Sequence, residues 1–266
     1  MALARADLES LLRVRQLDRT LTTALPPLDP RDESALAPSG VTALDARLGG
    51  GFPRGQLSEL TGRRSSGRTS LLLQVMAAAT ARGELVAIVD ALDMLDVESA
   101  ASAGVHLAQL LWIRGHVVMN PGLCRDLNQR ALEQAIRALT LVLQAGNFGL
   151  VAFDVAEAPA DAVRRLPFTT WMRLQRIIEG SQTACLLVGG EGMARSSAGL
   201  TLRLAAGSRD QGLGIRRDQG AGMSREQGPG SRFGNLLFDG LDFEARIVRA
   251  RAREREEACV VLSTSA

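Results

Sequence analysis

The feature that most constrains the fold is a glycine-spaced loop between a short apolar stretch and a stretch with helical periodicity. It runs Gly62-Arg63-Arg64-Ser65-Ser66-Gly67-Arg68-Thr69 and is followed by Ser70. A turn of this kind directs several backbone N–H groups at one point, and the N-terminus of the following helix adds partial positive charge there. The loop therefore predicts a strand–loop–helix unit whose backbone can bind a phosphate group.

One position departs from the pattern G-x-x-x-x-G-K-[ST], in which the lysine reaches the β- and γ-phosphates and the Ser/Thr hydroxyl binds Mg²⁺. Thr69 keeps the magnesium position, but Arg68 replaces the lysine. A guanidinium is larger than an ammonium group, and the two are not interchangeable at a tight site. The chain contains no lysine, which leaves two interpretations open. Arg68 is either a replacement that retains binding or a sign of a site that no longer hydrolyses nucleotide.

Composition limits the classes of protein to consider. A chain of 266 residues with 46% hydrophobic content suits one large domain or two small ones. The net charge of +2 does not by itself indicate a nucleic-acid partner, and aromatic content of 3% disfavours base stacking. The scattered Cys124, Cys185 and Cys259 form no metal or disulfide pattern, and the first 21 residues resemble neither a signal peptide nor a membrane span. We therefore expect a cytoplasmic protein without a membrane partner.

Apolar runs alternate with helical stretches along the centre of the chain. The predicted strands are Gln56–Thr61, Leu85–Asp90, Leu110–Ile113, Leu150–Val155 and Ala184–Val188. The predicted helices are Thr69–Arg82, Val97–Ala103, Leu123–Ala145 and Phe168–Glu179. Strands that are apolar throughout and separated by helices predict an α/β fold with a mostly parallel, twisted sheet covered on both faces. The last three predicted strands have no helices between them and predict a C-terminal antiparallel extension; they are Leu200–Ala206, Asn235–Arg251 and Ala258–Leu262.

The same patterns divide the chain into four segments. They are an N-terminal helix with a proline-rich linker at 1–38, a core at 39–206, a low-complexity insertion at 207–234 and a terminal β-hairpin at 235–266 that completes the core. The helix, at 5–21, either packs on its own core or docks on a partner or neighbouring subunit. The insertion carries an octapeptide repeat, R-[DE]-Q-G-x-G-x-x, with too few apolar residues for a core. It is either a disordered hairpin insertion or a binding loop.

Three stretches lead into the glycine-spaced loop: Ser39–Asp45, the glycine-rich Gly49–Gly55, and Leu57–Gly62. In this order they resemble the RecA superfamily, and the resemblance covers roughly residues 36–206. Within that superfamily the chain is similar to the ImuA-type proteins, also labelled SulA-like. These are RecA-like accessory factors encoded with translesion polymerases. The resemblance implies a RecA-like core and a part in the response to DNA damage.

The resemblance also assigns roles to single residues. Asp154 ends the strand before it and matches the carboxylate that steadies Mg²⁺ through water, with Thr69 as the second magnesium position. An alternative is that Asp154 only caps a loop at the end of its strand. The expected cofactor is ATP with Mg²⁺, bound weakly or not at all.

Four positions that matter in the family are altered. Arg68 replaces the lysine, and Leu92 stands where the family has its glutamate base. Ser99 lies near the position of an aromatic residue that stacks on adenine, and Gly189-Gly190 replaces a polar residue that senses the γ-phosphate. Leucine neither orients nor deprotonates water. Four changes together indicate lost hydrolysis, and we expect the protein not to be an enzyme.

Six arginines are candidates for contacts with DNA or a protein partner. They are Arg164 and Arg165 in the first loop that binds DNA in the family, Arg195 in the second, and Arg249, Arg251 and Arg253 on the last long strand. The last three share one face because side chains alternate along a strand. Alternatively, the loop pair forms a solvated turn, and the strand arginines discourage edge-to-edge pairing.

Three hypotheses follow. The first is a non-hydrolysing RecA-like adaptor in SOS-type mutagenesis and translesion synthesis. Its partners are a Y-family polymerase-like protein, an error-prone replicative-type polymerase or RecA itself. The second is a weak DNA-dependent ATPase, in which Arg68 replaces the lysine and Asp93 the base. The third is a module that binds single-stranded DNA with a steep dependence on salt. We favour the first, because the fold is retained and the catalytic positions are lost.

Overall fold

The structure, a computed structural model, describes residues 35–116, 125–194, 198–206, 241–250 and 259–264. The helix predicted at 5–21, the repeat insertion at 207–234, and Arg195, Arg251 and Arg253 lie outside the described residues. Their predictions stand as made, as does the division of the chain into four segments.

The described elements follow the predicted alternation of strands and helices. The strands are β1 Leu36–Ala37, β2 Phe52–Pro53, β3 Leu57–Gly62, β4 Val86–Asp90, β5 Leu110–Arg114, β6 Leu150–Asp154, β7 Ala184–Gly189, β8 Leu200–Ala206, β9 Leu241–Ala250 and β10 Cys259–Thr264. The helices are α1 Thr42–Leu48, α2 Arg68–Ala81, α3 Val97–Ser102, α4 Arg125–Ala145, α5 Ala160–Arg164 and α6 Phe168–Ile178, with a 3₁₀ turn at Leu107–Gln109. Every one of these described helices is too short or too polar to cross a membrane.

Eight strands form one sheet in the order β10-β9-β8-β3-β7-β6-β4-β5. The strands from β3 to β8 run parallel, whereas β9 is antiparallel to β8 and β10 is antiparallel to β9. The predicted α/β fold with a mostly parallel sheet and an antiparallel extension is therefore confirmed. One strand differs from its prediction: β8 pairs in parallel with β3, so the antiparallel extension begins at β9.

The parallel pairing of β8 depends on a crossover whose described residues, 190–194 and 198–199, contain no helix. β7 and β8 flank β3, and the segment between them returns along β3 towards its amino end. The carboxylate of Glu59 on β3 is 2% exposed and accepts hydrogen bonds from the N–H groups of Met193 and Ala194, at 2.6 Å each. It also accepts a bond of 2.9 Å from the hydroxyl of Thr201 on β8. These charge-assisted bonds attach the crossover and β8 to the central strand.

Helices cover both faces of the sheet, as predicted. Along β7, Leu186 and Val188 face a core shared with α1, α2 and α3, whereas Cys185 and Leu187 face a core shared with α4, α5 and α6. This alternation follows from the period of two along a strand. It explains why the central strands are apolar at every position, since both of their faces are buried.

Arg54 joins the amino-terminal ends of several strands. Its guanidinium donates to the carbonyl oxygens of Leu36 (3.2 Å), Gly149 (3.0 Å) and Gln182 (2.8 Å), and pairs with Glu84 at 2.7 Å. Burial raises the pKa of Glu84, but hydrogen bonds from Arg82 and Arg54 outweigh it and leave the pKa below its ordinary value. The edge of the sheet opposite the glycine-spaced loop is thus held by one side chain.

We expect Arg54→Ala to lower the free energy of unfolding by about 3 kcal/mol, because it removes one of the two arginines that bind the partly buried carboxylate of Glu84 and a donor to three carbonyl oxygens. Urea unfolding followed by circular dichroism measures this loss. The control is Arg165→Ala, which removes an exposed pair with Asp161 on one helical turn and should cost less than about 1 kcal/mol. Equal losses in the two variants would contradict the role of Arg54.

Candidate nucleotide site and the adjoining cavity

The glycine-spaced loop lies at the carboxyl end of β3, in the middle of the sheet. Ligands of open parallel sheets bind at this edge. Gly67 has a φ of +87°, which favours glycine, and α2 begins directly after it. At Gly62 a Cβ atom would come within 2.6 Å of the carbonyl oxygen of Leu204 and would also meet the Ser66 hydroxyl. Both glycines of the motif are therefore needed for the shape of the loop.

The loop retains a backbone cradle for an anion. The first N–H groups of a helix have no partner within the helix, and those of α2 start at Arg68 beside the loop. Within the described part of the chain, the buried hydroxyl of Ser66 also has no hydrogen-bond partner. In its backbone geometry, the loop fits a phosphate group.

Thr69 and Asp154, the two predicted magnesium positions, line one cavity of about 390 Å³. Asp90, Leu92 and Ser99 line the same cavity, which we call the Thr69 cavity. Among the described residues no group of three or more His, Cys, Asp and Glu side chains is arranged to hold a metal ion. A magnesium ion here would therefore need phosphate oxygens and water in addition to Thr69 and Asp154, which is how proteins usually bind it.

Asp154 has an environment that disfavours its charge. Its Oδ1 accepts a hydrogen bond of 2.8 Å from the N–H of Ala156. Burial, with repulsion from Asp90 and Glu157, outweighs this bond and the nearby Arg68, and raises the pKa of Asp154 to about 6. A cation beside the carboxylate would relieve this cost.

The carboxylates near Leu92 are held in structural contacts. Asp90 is buried and accepts hydrogen bonds from the N–H of Leu95 (2.8 Å) and from the Trp112 indole (3.2 Å). Asp93 forms two bonds with the Arg114 guanidinium, at 2.5 and 2.7 Å. Hydrogen bonding to Arg114 lowers the pKa of Asp93, and a more acidic carboxyl group is a poorer general base near neutral pH.

The two side chains that stand at the positions of the base and the adenine stacker offer little to a nucleotide. Leu92 is partly buried against the core under α4. Ser99 is exposed and donates to the N-cap residue of its own helix, Asp96, at 2.5 Å. The structure thus brings both altered positions into the Thr69 cavity, where neither offers a base or an aromatic face.

The guanidinium of Arg68 is directed to a carboxylate of the protein itself. The side chain is 6% exposed, and its Nη2 lies 3.1 Å from Oε1 of Glu157, three residues after Asp154. Nη1 donates to the carbonyl oxygen of Ala156 at 3.4 Å. The other oxygen of Glu157 pairs with Nε of Arg64. Glu157 is thus bound by two arginines of the glycine-spaced loop, and we call this group the Glu157 clamp.

Glu157 was not among the site residues predicted from the sequence. The available signal was an acidic residue shortly after the strand end at Asp154, opposite a loop with three arginines. A contact across 89 residues is not visible in a local pattern.

Arg68 lines a second cavity, separate from Thr69 and Asp154. This cavity has a volume of about 320 Å³ and we call it the Trp171 cavity. Arg63, Arg64 and Glu157 also line it, on its polar side. Its apolar wall consists of Val163, Leu166, Phe168, Trp171 and Met193.

Gly189-Gly190, predicted at the γ-phosphate sensor position, also lines the Trp171 cavity. A Cβ atom at Gly189 would lie 2.5 Å from the Met193 methyl group. The position therefore has no side chain that can contact a phosphate, and Met193 packs against its backbone.

The predicted DNA-binding arginines are only partly brought together. Arg164 pairs with Glu191 at 2.6 Å and so links the segment after β6 to the segment after β7. Arg165 pairs with Asp161 at 2.9 Å. Part of the predicted first DNA loop is the short helix α5. Arg249 lies in β9, with its Cα opposite Thr201 of β8.

Comparisons with known proteins show that part of the chain is similar in sequence to RecA proteins. A family model described as the RecA N-terminal domain matches residues 28–119. Protein RecA of Clavibacter michiganensis subsp. michiganensis (strain NCPPB 382) is 37% identical over 131 residues, which are 49% of this chain and 32% of that protein. Protein RecA of Prochlorococcus marinus (strain MIT 9303) is 46% identical over 74 residues, 28% of this chain and 20% of that protein.

A solved structure extends the likeness beyond the first half of the chain. The crystal structure of the RadB recombinase covers 85% of this chain and 94% of its own, with a TM-score of 0.54 and 19% sequence identity. At that identity the likeness concerns the fold. The match to the RecA protein of Clavibacter michiganensis spans about a third of that protein's length, so its activity does not carry over with the fold.

We expect Asp154→Asn to change stability with pH in a defined direction. The native pKa of about 6 exceeds the ordinary value of 3.8, so the folded protein binds more protons than the unfolded chain between about pH 4 and pH 6. Ionisation of Asp154 therefore costs stability as the pH rises through this window, and asparagine avoids that cost. The stability of the variant relative to wild type should rise from pH 4 to pH 7, as measured by urea unfolding in metal-free buffer.

The matched control is Asp93→Asn, for which the sign is opposite. The pKa of Asp93 is lowered by Arg114, so its ion pair stabilises the fold at neutral pH and is lost in acid. This variant should lose more stability at pH 7 than at pH 3. A pH-independent difference for Asp154→Asn would contradict the raised pKa.

Proposed function

Because the protein has a RecA-like core, we propose that it is an accessory protein of DNA repair that assists error-prone translesion DNA synthesis without hydrolysing ATP. The observation that carries the second half of this proposal is the Glu157 clamp, in which Arg68 is paired with an internal carboxylate. The first half draws on the likeness to RecA proteins and on the resemblance of the chain to ImuA-type accessory factors.

Loss of hydrolysis follows from what phosphoryl transfer requires. The reaction needs a group that orients the attacking water and a positive charge on the transferred phosphate. Leu92 offers no polar atom to water, and the neighbouring Asp93 is engaged with Arg114. The charge of Arg68 is balanced by Glu157. Leu92 leaves the first requirement unmet and Arg68 does not meet the second, so restoring the lysine alone is insufficient.

The remaining groups fit a bound nucleotide that is not turned over. The backbone cradle at Gly62 and the N-terminus of α2 can hold phosphate. Thr69 and Asp154 can hold Mg²⁺ through a phosphate oxygen and water, and the ion would supply the positive charge that Arg68 does not. In this proposal a nucleotide acts as a structural ligand that orders the loop.

The proposed partners are a Y-family polymerase-like protein, an error-prone replicative-type polymerase or RecA, in the cytoplasm. Binding to single-stranded DNA is a weaker candidate. Arg164 and Arg165 are each paired with a carboxylate, which reduces the net positive charge that a phosphate backbone would meet. We therefore propose that the contribution of the protein lies in contacts with other proteins.

A nucleotide titration tests the site. Binding of a fluorescent ATP analogue with Mg²⁺ should be weak in the wild type and about tenfold stronger in Glu157→Gln, because the substitution releases two arginines from a charge-assisted pair. Glu191→Gln is the control, since it releases Arg164 outside the Thr69 cavity. We expect no turnover in wild type, Glu157→Gln or Arg68→Lys, because Leu92 remains. ATP turnover by the wild type that DNA stimulates and Asp154→Ala abolishes would instead establish a weak ATPase.

Affinity purification tests the accessory role. The tagged full chain should co-purify with a translesion polymerase or with RecA from cells treated with a DNA-damaging agent, as identified by mass spectrometry. We expect Arg68→Lys to retain the same partners, because the role does not depend on turnover. Absence of all three classes of partner, from cells in which the tagged chain is folded and abundant, would contradict the proposal.

A further inference from the structure

We propose that the Trp171 cavity is a binding site for a peptide segment of a protein partner, in which a large apolar side chain lies next to a carboxylate. The inference rests on the proposed accessory role in one respect: the ligand is taken to be a segment of a partner protein.

The Trp171 cavity is distinct from the Thr69 cavity, which holds the predicted magnesium positions, although Gly62 and the sensor position Gly189-Gly190 line the Trp171 cavity. Thr69 and Asp154 line the Thr69 cavity and not this one, whereas Arg68 lines this one and not the Thr69 cavity. It opens at the carboxyl ends of β3, β6 and β7, where parallel sheets bind their ligands. Arg68, which replaces the lysine, therefore directs its positive charge at the Trp171 cavity and not at the Thr69 cavity.

The apolar wall is preformed. Trp171 is 2% exposed and packs at a ring-centroid distance of 6.4 Å from Phe153 of β6. Leu166 and Met193 are also buried, and Phe168 is partly buried against the same core. Side chains fixed in this way do not have to be ordered when a ligand binds, which favours affinity. The wall calls for an apolar side chain of the ligand.

The opposite side of the cavity is built for a carboxylate. Arg64 and Arg68 already bind one there, since each contacts a different oxygen of Glu157. Arg63 lines the cavity and is exposed, and its guanidinium forms no ion pair or hydrogen bond with another described residue. An arginine fork matches the geometry of a carboxylate. A ligand carboxylate can bind Arg63 or take the place of Glu157.

Size and the apolar wall favour a short peptide segment. Arg63, Arg64, Arg68 and Arg164 line the cavity together with Glu157 and Glu191, so its charged lining is net positive and attracts an anionic group such as a carboxylate. The volume of about 320 Å³ is at the lower end of the range for ligand sites. It accommodates a few side-chain groups rather than a folded surface. An acidic and apolar peptide segment meets all of these limits.

Isothermal titration calorimetry on the full chain tests the proposal. The probe is a capped hexapeptide with two leucine–aspartate pairs, and the comparison peptides replace both aspartates by asparagine or both leucines by alanine. We expect one molecule of the probe to bind per chain, and each comparison peptide to bind at least about tenfold more weakly. Lack of binding at millimolar probe, or equal binding of the asparagine peptide, would overturn the proposal.

Two variants test whether the probe binds in the Trp171 cavity. Arg63→Glu should weaken binding of the probe at least about tenfold, because it reverses an exposed charge at the cavity without removing a contact of the fold. Arg165→Glu is the matched control; Arg165 does not line the cavity, and binding should be unchanged. Equal loss in both variants would indicate a general effect of charge and would overturn the proposal.

A competition experiment distinguishes between the possible classes of ligand. An excess of a single-stranded oligonucleotide should leave binding of the probe within about twofold, and ATP should alter it only through the shared Arg64 and Glu157, without binding that depends on Arg63. Displacement of the probe by either, combined with Arg63-dependent binding of that competitor, would assign the cavity to nucleotides or nucleic acid instead. These measurements involve neither ATP turnover nor co-purification. A failure of the proposed accessory role is therefore distinguishable from a failure of this inference.

Discussion

The sheet depends on one buried carboxylate. Glu59 lies on the central strand β3 and accepts three hydrogen bonds from the crossover and from β8. A parallel connection usually needs a helix that covers the sheet, whereas here the returning segment is attached through its own backbone to a side chain of the strand it passes. Without Glu59 the N–H groups of Met193 and Ala194 would be buried without these acceptors, at a cost typical of unsatisfied polar groups. This attachment also holds Met193, which lines the Trp171 cavity, beside the central strand.

A second internal carboxylate, that of Glu157, binds residues of the glycine-spaced loop, but its effect differs from that of Glu59. Glu59 meets neutral donors and organises the backbone, whereas Glu157 meets two guanidinium groups and balances their charge. Arg68 therefore retains the positive charge of a phosphate-binding lysine without presenting it to the Thr69 cavity. The fold can therefore be retained without the activity. The leucine at the position of the base points in the same direction.

The elements were predictable because their signals are local, whereas the pairing of Thr69 with Asp154 was implied by the resemblance to a family. Apolar runs, glycine spacing and helical periodicity each extend over a few residues, and the structure confirms the sheet that they predict. The parallel pairing of β8 was not predictable, since it depends on contacts between Glu59 and residues about 135 positions later. The Glu157 clamp joins residues 89 positions apart. The apolar wall at Trp171 looked like ordinary core, because burial rather than sequence distinguishes a cavity wall from a packed face.

Glu157 and Arg64 line both cavities. A group shared by two sites makes their occupancies dependent on each other, and such dependence is reciprocal at equilibrium. If an anion in the Thr69 cavity draws Arg64 away from Glu157, that carboxylate becomes a stronger competitor for Arg68 on the other side. If a ligand in the Trp171 cavity displaces Glu157, the charge presented to the Thr69 cavity changes by the same linkage. In the proposed function, the glycine-spaced loop would therefore report on a bound nucleotide without turning it over.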